Sequence, residues 1–122
     1  VNWFYTEREM IEFYDFGKVI IDGKEYTSDV IIYPERVEAN WWRRKGHELC
    51  LDDIQEVLKK KPDILVVGIG YSGLMRILPE VKQALEKEGV KLIVKSTSEA
   101  CQIFNQLLRS NQSAVAALHL TC

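Results

Sequence analysis

Cysteine, histidine and proline are scarce in this sequence, long apolar runs are missing, and neither sign of charge dominates. The three cysteines, Cys50, Cys101 and Cys122, are odd in number and widely spaced, with no CxxC. That excludes a disulfide framework and reads as reduced thiols in a cytoplasmic protein. The longest apolar stretch, Ile64 to Tyr71, falls far short of the ~20 residues a membrane helix needs. Val1 to Met10 has no basic start leading into an apolar run, so no secretory leader is expected. Sixteen Lys and Arg stand against 18 Asp and Glu, a net charge of −2. Such a balance exerts no global pull toward nucleic acid or an anionic membrane. Plentiful lysine and glutamate fit a thermophilic source.

What is present suffices for one core. A chain of 122 residues, 47% of them hydrophobic, makes one domain over 1–122 and has no room for a second. Residues 1–10 are polar and aromatic without a clean period and are expected to form a loose arm or a short added strand.

The first half reads as β structure. Lys18 to Asp22 runs into Gly23, and Asp-Gly is a hairpin turn signal that Glu25 to Thr27 continues. Asp29 to Tyr33 follows, rich in β-branched residues and stopped by Pro34. Arg36 to Arg44 alternates as a third strand. The second half alternates helix and strand. Leu51, Ile54, Val57 and Leu58 fall at helical spacing, with Asp52 and Asp53 in the first turn and Lys59 to Lys61 at the end, as the helix dipole favours. Ile64 to Val67 is a buried strand. Pro79 opens a second helix and Gly89 follows it. Val90 to Val94 is the next strand, and Ser96 with Glu99 forms a capping-box pattern for a third helix. Ala114 to Leu120 closes the chain as a buried strand. The outcome is an α/β domain with a β-rich front.

Four groups of residues invite a chemical reading. Gly68-Ile-Gly-Tyr-Ser-Gly73 matches GxGxxG after a buried strand, the setting of a dinucleotide fingerprint. The helix that should begin inside the loop waits instead for Pro79, and the strand that should end in a ribose-binding acid ends in Lys95. No cofactor is therefore expected. Glycines that let a loop turn tightly explain the motif, and a small anion held by Gly68, Gly70, Ser72, Gly73 and Lys95, with Arg76 nearby, is the alternative. Ser72 lacks the glycine spacing of a nucleophile elbow, and nothing orients His119 toward it. The pairs His47–Cys50 and His119–Cys122 have the right atoms for zinc, but in an extended strand residues three apart face opposite ways, so no metal is expected. Trp41-Trp-Arg-Arg-Lys-Gly-His47 mixes aromatic and cationic groups. If the two indoles face opposite ways, one belongs to the core. The other, beside Arg43 and His47, is suited to protein partners more than to nucleic acid.

Trp42-Arg43…Gly46-His47, Gly68-Ile-Gly70, Leu78-Pro79, Thr97-Ser-Glu-Ala100…Phe104-Asn105 and His119-Leu-Thr-Cys122 occur in an order that resembles one family. It is a domain-of-unknown-function family that includes the mitochondrial respiratory complex I assembly factor three and the adipogenesis-associated domain protein. The resemblance implies a three-layer α/β fold with a mixed central sheet, helices on one side, and a smaller β layer plus helix on the other. It supplies no catalytic mechanism, since the family has no agreed activity, and the roles of its mitochondrial members lie in assembly through protein partners. Thr97 and Asn105 match family positions, yet Thr97 can help cap its helix and Asn105 can tie helix to loop.

Two functions follow. The first is a non-enzymatic interaction or assembly module that self-associates, as a homodimer, through an exposed β edge or the Trp41, Trp42, Arg43 and His47 surface. The second is a small anionic-ligand site, binding or catalytic, at the sheet edge around Gly68 to Gly73 and Lys95.

Overall fold

In the computed structural model, which describes residues 10–122, the chain begins with a three-stranded antiparallel sheet: β1 (Ile11–Asp15), β2 (Lys18–Ile21) and β3 (Lys24–Tyr26). The β2–β3 turn forms where the Asp22-Gly23 pair predicts it. Both residues sit at positive φ, 49° and 82°, as a two-residue turn matching the strand twist requires. β1 has no counterpart in the sequence reading. Only Ile11 of its five residues is buried, and its pairing with β2 is irregular between Ile11 and Phe13, so no alternation marks it. The expected arm over residues 1–10 lies, save for Met10, outside the described residues.

β4 (Val30–Ile32) leaves the hairpin layer and pairs antiparallel with β10 (Ala114–His119). β10 in turn runs parallel to β7 (Ile64–Ile69), which runs parallel to β9 (Lys91–Lys95). With β5 (Val37–Glu38) outside β4, the central sheet is mixed, in the order β5-β4-β10-β7-β9. The third strand expected over Arg36 to Arg44 is corrected to these two residues. Asn40 takes a left-handed conformation at φ 56°, and the Trp41 amide donates to the Asp29 carbonyl at 2.9 Å, which turns the chain off the sheet. A further short parallel pair, β6 (Glu48–Leu49) with β8 (Arg76–Ile77), was not expected from sequence.

Period-two alternation gives the sheet two apolar faces. On one, Val30, Ile32, Val66, Ala116 and Leu118 pack against Ala100 and Phe104 of α3 (Thr97–Arg109) and against Ile11, Val19 and Ile21 of the hairpin layer. On the other, Ile31, Leu65, Val67, Val115 and Ala117 pack against Val57 of α1 (Gln55–Lys60) and against Val81 and Leu85 of α2 (Pro79–Lys87). Trp41 and Leu49 complete that second face. The three layers are those the family resemblance implies.

The first helix divides into a 3-10 turn, Leu51–Ile54, and then α1, which ends on left-handed Lys61 before Pro62. α2 begins on Pro79, whose missing N–H costs nothing in a first turn. The capping box of α3 closes differently from its pattern. The Ser96 hydroxyl donates to the Glu99 carboxylate at 3.2 Å rather than accepting from the helix amides.

Candidate functional site

The segment between β5 and β6 carries the densest polar chemistry. Trp41 points inward and is buried, and its indole N–H donates to the Asp53 carbonyl at 3.0 Å. Trp42 points outward and is 85% exposed. The opposed facing of the two rings is as expected, although an irregular loop and not a strand produces it. Arg43 folds back so that its guanidinium lies 4.9 Å from the centre of the Trp41 ring, a cation–π contact. The loop is tied at its far end by the Asp53 carboxylate, which accepts the amides of Arg44 at 3.0 Å and Cys50 at 2.9 Å.

Beneath this loop sits an ionic cluster. Arg43 Nη1 donates to Asp29 Oδ2 at 2.7 Å and Nη2 donates to the Gly46 carbonyl at 3.0 Å, with the Arg43 side chain only 5% exposed. His119 Nδ1 stands 2.8 Å from the same Asp29 oxygen. The same Nδ1 also lies 2.9 Å from Arg43 Nη2, so it faces one group that only accepts and one that only donates, and its role follows the tautomer. The Leu120 amide donates to Asp29 Oδ1 at 2.8 Å. Burial pushes the Asp29 carboxyl upward, but the bonds from His119, the Leu120 amide and Arg43 outweigh it and hold the group below its ordinary value. Two buried nitrogens of the cluster, Arg43 Nε and His119 Nε2, have no hydrogen-bond partner among the described residues. The exposed His47 ring stands edge-on to His119 at 6.2 Å between centres. Among the described residues no three potential metal ligands gather, so the two HxxC pairs meet through their histidines alone.

A groove of about 400 Å³ opens beside this cluster, lined by Ser28, Asp29, Asn40, Trp42, Arg43 and Gly46 among others. Neither the glycine loop nor Lys95 lines it. The loop lies between β7 and β8, and four of its amides are engaged within the chain. Gly70 N–H donates to the Thr97 hydroxyl, Tyr71 N–H to the Thr121 carbonyl, Gly73 N–H to the Gly70 carbonyl and Leu74 N–H to the Cys122 carbonyl. Gly68 and Gly70 are required by packing. A Cβ on Gly68 would stand 2.9 Å from Thr97 Oγ1 and 3.1 Å from Leu118 Cδ2, and one on Gly70 would run into the Cys122 carbonyl. Ser72 is exposed at the loop tip, and Lys95 is an exposed β9 residue paired in register with Gly68.

The two family-matched residues serve the frame. The Thr97 hydroxyl donates to the His119 carbonyl at 2.6 Å rather than capping α3. The Asn105 side chain bonds both the amide and the carbonyl of Ile11, at 3.0 and 2.8 Å, tying α3 to β1 rather than to a loop. Asp29 was not singled out by the sequence reading. An aspartate before a β-branched strand looks like a turn residue, and its partners lie 14 and 90 positions away.

The fold and the cluster together describe a small three-layer α/β domain with a buried Asp–Arg–His network where β4 begins and β10 ends in its mixed sheet. Comparison with known proteins supplies its kinship. The model of a family described as "Protein of unknown function (DUF498/DUF598)" matches residues 11–119, and the chain belongs to that family. It is 27% identical over 115 residues to NADH dehydrogenase (ubiquinone) 1 alpha subcomplex assembly factor 3 of Xenopus tropicalis, covering 93% of this chain and 62% of that protein. The chain thus spans about three fifths of the length of that relative. A conserved hypothetical protein of Pyrococcus horikoshii superposes with a TM-score of 0.76 at 33% identity, over 92% of this chain and 98% of that one. An outer membrane protein of Bartonella henselae shares the fold, with a TM-score of 0.81 at 23% identity over 94% and 97% of the two chains. No helix among the described residues is long and apolar enough to cross a membrane.

Proposed function

We propose that this chain is an assembly-type module that binds other proteins through the face around Trp42. One observation carries the reading: an indole 85% exposed on a loop whose neighbours are fixed. Trp41 is buried beneath it, Arg43 is paired with Asp29, and Arg44 is held by Asp53 through its amide. A fixed aromatic anchor loses little conformational freedom on binding, and tryptophan is the residue most often found to dominate protein interfaces. The kinship with an assembly factor supports the same reading. Self-association as a homodimer would use this face as well. The reading includes a reducing, cytoplasmic setting, which the three free thiols support.

A photo-crosslinking amino acid at position 42, compared with one at exposed Gln102 on α3 across the sheet, tests it. The expected result is a discrete protein adduct from position 42 and none from position 102. Equal, diffuse labelling from both positions overturns the reading.

A further inference from the structure

We infer that the outer edge of β9 accepts an added β-strand from a partner protein, one in which two acidic residues flank an apolar residue at alternate positions. The inference goes beyond the Trp42 face, which follows β5 at the opposite end of the sheet order, and does not depend on it. β9 is an outermost strand, and β7 is its one strand partner among the described residues. The ladder fixes which groups are left over. Lys91 N–H donates to the Asp63 carbonyl at 2.9 Å, and Lys91 stands in register with Ile64. In a parallel pair alternate residues turn both main-chain groups to the same neighbour, so Lys91, Ile93 and Lys95 bond β7. Leu92 and Val94 therefore direct N–H and C=O away from the sheet, a template that an extended chain completes.

The side chains select the occupant. By period-two alternation Lys91, Ile93 and Lys95 share one face of the strand, and Leu92 and Val94 the other. Ile93 packs against the α3 side of the core and Leu92 against the α1–α2 side. Yet Leu92, Ile93 and Val94 stay only partly buried, where every residue of β10 is buried, and a further strand covers that apolar remainder. Both lysines are exposed, and neither forms an ion pair among the described residues. Two copies paired antiparallel about Ile93 set lysine against lysine at both ends, and like charges directly opposite destabilise a strand pair. Carboxylates opposite the same two positions turn that repulsion into attraction. On an added strand the residues facing Lys91 and Lys95 are four apart, with the one facing Ile93 midway. The occupant thus reads acidic–x–apolar–x–acidic, with apolar side chains at the x positions against Leu92 and Val94.

The test titrates the intact ¹⁵N-labelled chain with a blocked heptapeptide, Ser-Glu-Val-Val-Val-Glu-Ser, whose palindromic order pairs in either direction. The control peptide has lysine in place of both glutamates. The glutamate peptide is expected to shift the amides of Leu92 and Val94 saturably and to bind at least about fivefold more tightly than the control. Lys91→Glu combined with Lys95→Glu, both at exposed positions, should reverse that order. Val94→Pro removes an amide that β7 does not use and should abolish binding in a chain that still unfolds cooperatively. If Val94→Pro does not fold, the double lysine variant decides alone. No saturable shift, shifts centred away from β9, equal affinity for the two peptides, or an unreversed order in the double variant overturns the inference. Undiminished binding to folded Val94→Pro does the same. Absence of an adduct from position 42 leaves this inference standing, and absence of peptide binding leaves the Trp42 reading standing.

Discussion

The Asp29 carboxylate stands 2.8 Å from His119 Nδ1 across 90 positions of sequence. Through it, the entrance of β4 and the exit of β10 share one carboxylate, and Arg43 brings the Trp42 loop onto the same oxygen. The loop that presents Trp42 is therefore fastened to the centre of the sheet.

Removing the shared carboxylate should be costly. Asp29→Asn leaves the Arg43 guanidinium buried without its counter-charge, a change that typically costs about 3–5 kcal/mol. Urea unfolding should show that loss, while Asp52→Asn, which breaks the exposed pair with Arg44, should leave the midpoint unchanged. Comparable effects from the two substitutions would refute the account of the cluster.

Acid should act through the same group. The folded-state pKa of Asp29 lies below its unfolded value, so its contribution is complete above the ordinary carboxylate range of ~3.9 and is lost as pH falls through the folded value. Stability measured between pH 5 and pH 2 should fall more steeply in the parent than in Asp29→Asn. Parallel slopes would contradict it.

At the alkaline end, burial raises the Tyr14 phenol to about 12, and its hydroxyl donates to the Leu120 carbonyl at 2.8 Å. A raised phenol favours the fold fully below its unfolded value of ~10, and that support disappears as pH rises through about 12. Tyr14→Phe should flatten the decline of stability over that window, as followed by circular dichroism. Cys101, buried and likewise raised to about 12, should react with a thiol reagent at pH 8 only on the timescale of unfolding, behind Cys50 and Cys122.

The two adjacent tryptophans should separate stability from contact. Trp41→Ala removes a buried ring and an indole hydrogen bond and should cost about 3–5 kcal/mol. Trp42→Ala removes an exposed ring and should change stability by no more than about 0.5 kcal/mol while abolishing the adducts that a bifunctional chemical crosslinker forms between the parent chain and its partners. Thermal unfolding of both variants, alongside crosslinking of the second, checks the pair.

The glycine positions offer a test of packing. Gly68→Ala forces a Cβ against Thr97 and Leu118 and should cost about 1–3 kcal/mol. Gly70→Ala should cost more, since its φ of 108° is strained for any side chain and its neighbours are backbone carbonyls that cannot rotate away. Equal melting temperatures for the parent and both variants would show the loop to be looser than described.

Features with a local cause were legible in the sequence. The β2–β3 turn follows from Asp22-Gly23, α2 from Pro79, and β7 from a run of buried β-branched residues. β1 escaped because its exposed Phe13 and half-buried Tyr14 break any alternation, and its pairing is made by β2 and by Asn105 from far along the chain. The site divides in the same way. Trp42, Arg43 and His47 stood out by composition, whereas Asp29 acquires its meaning only when β10 brings His119 beside it. A carboxylate at a strand entrance looks the same whether it meets water or an arginine.

The position of β10 between β4 and β7 has a consequence for the birth of the molecule. The middle strand of the sheet is the last of its strands to leave the ribosome, so β4 and β7 wait with open edges until residues 114–119 are made. Unpaired edges of that kind recruit other chains. During synthesis the sheet's two halves have no common partner, and a chaperone that shields strand edges would find its client in that interval.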